Sequence, residues 1–317
     1  MAFGSRERRV GIAVVAVAGA AILLGLASLA PSPSIAESLL SRARLWMEAA
    51  TPAPDWATLP RGPVLQQAAQ RGALVVAVRA YRRPAPPGSA TPAEPDNYDA
   101  ALAQYIGRTL GVPVTIIGLP TPDESPDAPG NPAAVQADLI IGGSRYGIPI
   151  AGDEPAHSAN QSVATAYASG HAMLVSLRAA TLDQPAGHRV CLQQGSPYAH
   201  DLVNVYRAKP VAYASSVHAA YAFMSGECEI LAEDDAVLKR LMERDDWRFY
   251  KPLPVAVQTG SEPQILLSRP DAASAHYLDK VVRRWLASGE QQKARELRAG
   301  EVNFEVATLR DGLVCHG

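Results

Sequence analysis

At 317 residues, with 48% hydrophobic and 19% charged side chains, the chain can bury a substantial core and form two lobes. Its formal net charge of −2, with no run of lysine and arginine interleaved with aromatics, gives no footprint for nucleic acid. The seven histidines show no HExxH or similar spacing, and P-loop, GxGxxG and GxSxG patterns are absent. A metal centre, a phosphate cradle and a serine nucleophile therefore lack the residues that would build them, and neither catalysis nor a cofactor is expected.

In chain order, Arg6, Arg8 and Arg9 precede residues 10–30, an uncharged run of 21 apolar or small residues. That run is long enough to span a bilayer as a helix, and its positive flank keeps the N-terminus cytoplasmic. A cleaved signal peptide is the competing reading, since Ser34-Ile35-Ala36 offers small residues to a peptidase. The run is longer than the roughly 7–15 residues of a signal core, which favours an anchor. The remainder is expected outside the cytoplasm, held at the inner membrane or secreted after cleavage. Residues 31–63, rich in Pro, Ala and Ser around one short helical stretch at 35–49, read as a linker.

The globular pattern starts at Val64. VLQQAAQRG predicts a helix closing at Gly72, ALVVAVRAY a buried strand, and residues 82–95 a Pro-rich loop. Residues 99–110 (DAALAQYIGRTL) carry apolar side chains at helical spacing and stop at Gly111. VPVTIIGL is a strand, and after a second Pro-rich loop ADLIIGG is another. ATAYASGHAMLVS reads as a strand leaving the first lobe. HRVCLQQ, PVAYAS and CEILAE are then strands separated by helical segments at 198–208, 217–224 and 235–244. Extended runs return at 252–258 and 264–267, and residues 272–299 predict one strong helix with Tyr277, Val281 and Trp285 on a face. Strands alternating with helices indicate an α/β architecture with largely parallel sheets.

Two stretches carry the functional reading. VCLQQGSPYAHDL is a strand breaking into Gly195-Ser196 before a helix, a turn that points backbone N–H groups outward as a carboxylate site. CEILAEDDAVL ends its strand in Glu233, Asp234 and Asp235, where an acid could meet a ligand's positive end. Cys191 and Cys228 sit at matching places on these runs. If the runs are neighbouring strands, an extracytoplasmic pair 37 positions apart with no CxxC spacing reads as a structural disulfide. Cys315 is left over.

From residue 64 to 300 the chain resembles the extracellular solute-binding proteins of ABC transporters, specifically the polar amino-acid receptors of the type 2 periplasmic-binding-protein fold. LQQAAQRGALVVAV, NYDAALAQYIGRTLGV, ADLIIGG, AYASGHAMLV, VCLQQGS and AYAFMSGECEILAEDDAVL carry the resemblance through their order and spacing. It implies two α/β lobes joined by two crossover strands, residues 64–172 with 256–317 and residues 173–255, closing on a ligand in the cleft. It places Gly195 and Ser196 on the ligand carboxylate, Asp234 on its amino group, and Gly143 and Ser144 as a further backbone and hydroxyl contact. Tyr81 could stack on the ligand, and Ser169 and Gly170 open the hinge strand.

The departures concern charge. The family's carboxylate-gripping arginine falls at Ile150, with Arg145 as a candidate substitute, and Arg79 stands where such receptors often carry an acid. Two arginines against Asp234 would favour a more anionic ligand. The expected partners are a small polar ligand, an amino acid or carboxylate, and a permease or other membrane complex. The alternative is an anchored accessory or sensor subunit whose pocket has drifted.

Overall fold

The computed structural model describes residues 54–82, 92–119, 137–142, 161–168, 171–177, 182–258 and 265–314. The expectations for residues 10–30 and 35–49, and for Gly143, Ser144, Arg145, Ser169, Gly170 and Cys315, lie outside them. Among the described residues no helix is long and apolar enough to cross a membrane.

Helix α1 (Pro63–Arg71) starts on a proline whose missing N–H would have had no helical partner anyway. It ends at Gly72, whose φ of 77° closes the last turn and releases the chain into β1 (Leu74–Arg82). Strand β2 (Ala93–Pro95), helix α2 (Asn97–Leu110), and strands β3 (Val114–Leu119) and β4 (Leu139–Ile141) follow. Next come β5 (His171–Ser176), β6 (Arg189–Gln193), α3 (Ala199–Asn204), β7 (Lys209–Tyr213), α4 (Ser216–Met224), β8 (Ile230–Asp234), α5 (Asp235–Met242) and β9 (Lys251–Gln258). The chain then gives β10 (Ile265–Leu267), α6 (Ala272–Ala287) and α7 (Glu290–Val314).

The strands form two sheets. The first runs β10-β4-β1-β2, with β3 also on β1; the second runs β7-β6-β8-β5-β9. Strands β3 and β4 are parallel to β1, and β7 and β8 are parallel to β6. The sheets are nevertheless mixed, not largely parallel as expected, because β2, β5, β9 and β10 all pair antiparallel. Strand β5 lies between β8 and β9 and runs against both, so β9 returns to the direction of the parallel centre.

Each sheet has its own apolar core. Val76, Val78, Leu102, Ile106, Tyr277, Val281 and Trp285 fill the first, and Trp56 and Leu59, from the expected linker, pack against it. In the second, Val217, Phe223, Leu231, Leu238 and Trp247 cover one face, and Leu174, Leu192, Leu202 and Val257 the other. Cys191 and Cys228 are joined, with Cα atoms 5.7 Å apart. The single helix expected over 272–299 is broken. Ser288 and Gly289, the latter at φ 80°, end α6 and restart the chain as α7. The expected division put residues 256–317 in the first lobe. Ala294 of α7 does pack in the first core, but Ala299, Val302 and Val306 pack in the second.

Candidate functional site

Strands β6 and β8 are parallel neighbours, with Cys191 opposite Leu231, so both finish at one edge of the second sheet. At the end of β6, Gly195 takes φ 70°, a value that side-chain-bearing residues rarely tolerate. The resulting turn lets Ser196 N donate to Gln193 O at 3.0 Å, and Ser196 Oγ accepts from Tyr198 N at 3.3 Å. At the end of β8, Asp234 caps α5 by accepting from Ala236 N at 2.9 Å, a placement the positive helix end favours. The predicted turn and the predicted acid thus share a sheet edge.

This edge is met by the last helix. Arg295 of α7 grips Asp234 with two nitrogens, Nε donating to Oδ2 at 3.2 Å and Nη2 to Oδ1 at 2.8 Å. Its Nη2 also donates to Asp235 Oδ1 at 2.6 Å. One turn on, Arg298 donates from Nη1 to Glu233 Oε1 at 3.2 Å, and from Nη2 to Gln193 Oε1 at 2.9 Å and Ser216 Oγ at 2.7 Å. The Ser216 hydroxyl donates in turn to Glu233 Oε2 at 2.5 Å. Glu233, Gln193 and Ser216 are all buried, so these charges and dipoles depend on one another and not on water.

The first lobe contributes from the far side. Strand pairing of Ala80 with Pro95 brings Asp96 beside the end of β1, where Asp96 N donates to Arg79 O. Asp96 caps α2, its Oδ1 accepting from Tyr98 N and Asp99 N. Its Oδ2 is buried without a hydrogen-bond partner and faces Arg298 Nε at 3.9 Å. Arg298 therefore spans Asp96 of one lobe and Glu233 of the other. Burial would strip its charge, yet Glu233, Asp96 and Asp234 together hold its pKa above that of an ordinary arginine. Arg295 is raised in the same way, by Asp234 and Asp235 against burial. Burial pushes the Tyr81 hydroxyl up, Asp96 adding to the shift and Arg298 opposing it. Tyr198, just beyond the Gly195 turn, is pushed up by burial and then by Asp234 and Glu233.

Arg79 lies elsewhere. Its Nε donates to Asp99 Oδ2 at 2.7 Å and its Nη2 to Asp99 Oδ1 at 3.1 Å, inside the first lobe. Tyr167 OH completes the arrangement, donating to Asp99 Oδ1 at 2.9 Å. Burial pushes the Asp99 carboxyl up while Arg79 pulls it down; burial opposes the Arg79 charge, yet Asp99, Tyr167 and Asp96 together hold its pKa above that of an ordinary arginine. A Cβ on Gly142 would meet the Arg79 side chain at 2.9 Å, so the glycine makes room for this pair. Of the two arginines and one acid expected at the ligand site, Arg145 lies outside the described residues and Asp234 is paired with Arg295. Asp96, Glu233, Asp234 and Asp235 gather around Arg295 and Arg298.

No protein-family model matches the chain, and no curated protein matches its sequence. Solved structures do. An amino-acid ABC transporter substrate-binding protein from Streptococcus pneumoniae, bound to L-arginine, aligns with a TM-score of 0.51 at 15% identity, over 75% of this chain and 98% of that one. The chain has the fold of a substrate-binding protein. A mutant of ArgBP from T. maritima aligns at 0.48 with 16% identity, over 75% of this chain and 99% of its own.

Of the residues singled out in the sequence, Gly195, Ser196 and Asp234 lie at one edge of the second sheet, Tyr81 pairs with Glu94 on β2, and Arg79 pairs within the first lobe. Asp96, Gln193, Ser216, Arg295 and Arg298 were not anticipated. Asp96 and Ser216 read as ordinary helix starts. Only the proximity of Gln193 to the Gly195 turn could have singled it out.

Proposed function

We propose that the chain is an extracytoplasmic binding protein that holds a small polar ligand with a cationic group, an amino acid or a related amine, between its two sheets and serves an ABC-type permease. The observation that carries this reading is the meeting of Glu233, at the β8 edge, with Asp96 of the first lobe across the Arg298 guanidinium, with Asp234 held beside them by Arg295. An acid-rich contact between two lobes suits a ligand with positive charge, and the S. pneumoniae protein of this fold holds L-arginine. Hinge closure would be the mechanism, contacts from both lobes biasing the population toward the closed form. Residues 10–30 would hold the protein at the membrane.

A second reading is favoured by one observation. Arg295 and Arg298 already pair with Asp234 and Glu233, as they would in an accessory or sensor subunit that docks on a membrane complex instead of delivering solute. Thermal unfolding of the full chain against a panel of amino acids, polyamines and small carboxylates separates the two. A solute at 100 times its Kd adds about 2.7 kcal/mol of stability by linkage. A clear rise in Tm with one member of the panel is expected, and a flat response to all of them would move the protein to the accessory class.

A further inference from the structure

Helix α7 passes from one lobe core to the other. Ala294 is fixed in the first and Ala299, Val302 and Val306 in the second, and between these anchors Arg295 and Arg298 stand three residues apart, on one helical face. The same helix ties down α2 of the first lobe: Asn97 Nδ2 donates to Glu301 Oε2 at 2.7 Å, and Gln291 Nε2 to Tyr98 OH at 3.1 Å.

The surroundings of Arg298 fit a guanidinium in shape as well as charge. Nη1 meets the Glu233 carboxylate, Nη2 is shared by the Gln193 amide oxygen and the Ser216 hydroxyl, and Nε points to Asp96. An ammonium has no planar fork with which to reach acceptors arranged this way. The Asp96 contact is the incomplete one. Its buried Oδ2 lacks a hydrogen-bond partner and stands 3.9 Å from Nε, a gap that a guanidinium free of the helix backbone could close.

We propose that Asp96, Gln193, Ser216 and Glu233 form a guanidinium-binding site and that α7 fills it with Arg298 as a tethered ligand, latching the two lobes together without solute. This rests on the cleft-binding reading above and names the ligand chemistry of that site. A tethered group competes at an effective concentration on the order of millimolar, so a free guanidinium compound enters only when α7 withdraws or when the compound is in large excess.

The test uses the full chain and methylguanidinium as probe, with methylammonium as the control for charge without planarity. Wild-type protein should show no Tm shift with micromolar methylguanidinium. Arg298→Ala, with its site vacated, should melt lower than wild type and recover in a concentration-dependent way with methylguanidinium but not with methylammonium. Small-angle scattering should show the variant expanded and the probe returning it to the wild-type radius. Rescue should vanish in Arg298→Ala combined with Glu233→Gln. Should Arg298→Ala fail to fold alone, it is refolded in methylguanidinium or in methylammonium, and recovery is expected in the first and not in the second.

Wild-type protein binding methylguanidinium at micromolar concentration would overturn the latch while leaving the cleft reading intact. A folded variant that methylguanidinium does not rescue would overturn the guanidinium site, whatever other solute the wild type binds.

Discussion

Removing the Arg79 guanidinium would leave Asp99, a carboxylate with no exposed surface, facing Tyr167 as its one side-chain partner among the described residues. Arg79→Ala should therefore cost about 3–5 kcal/mol, read as a lowered urea midpoint by circular dichroism, and Arg79→Lys should recover only part of it because one ammonium cannot span both oxygens. That pair also shows where sequence reading stops at this scale. Arg79 stood out because the receptors it resembles often carry an acid there, but the acid it serves lies 20 residues later on another element. Gly195, Ser196 and Asp234 could be read from the sequence because a glycine turn and a strand-terminal acid have local signatures. Arg295 and Arg298 could not. Among Lys293, Glu296 and Glu301 they read as one more solvated helical face, and only the burial of Glu233, Gln193 and Ser216 beneath them shows otherwise.

At the scale of elements, the helices and buried strands were readable from apolar spacing, cap residues and terminal glycines. Helix α2 closes at Gly111 as its pattern predicts, and α1 at Gly72. The three-residue β2 was missed because it follows a proline-rich run and contains a proline itself. The break between α6 and α7 was missed because helical spacing resumes at once after Gly289, and because the apolar residues of α7 serve two cores and form no single stripe. Gly289 has φ 80° and open space where a Cβ would go, so the backbone alone decides the effect of a side chain there. Gly289→Ala should cost about 1–2 kcal/mol through the left-handed conformation. It should also loosen α7, which hydrogen exchange of Glu290–Val314 amides would report as faster than in wild type.

For the whole molecule, carboxylates with lowered pKa values shape the acid limb of stability, the more exposed Glu229 and Glu290 among them. Asp235, Asp271 and Asp279 all have pKa values below the usual range despite burial. Lys239 and Arg295 lower the first, Ser274 and the Val64 backbone N–H the second, and Thr165 and Arg283 the third. A depressed folded pKa gives stability that is fully present above the unfolded value of about 3.9 and is lost as pH falls through the folded values. Urea midpoints should therefore change little between about pH 6 and 5 and drop steeply below about pH 4. Asp271→Asn should flatten that drop while lowering the plateau, since Asp271 accepts from both Val64 N and Ser274 N and so fastens α1 to α6.

The position of α7 in the chain has a consequence for how the protein is made. The acids at the β8 edge leave the ribosome well before the arginines that neutralise them, 65 positions separating Glu233 from Arg298. Until Glu290–Val314 follows, two nearly complete sheets carry unbalanced negative charge at their meeting edges and repel one another. Docking of the two halves should therefore wait until the last helix has been made.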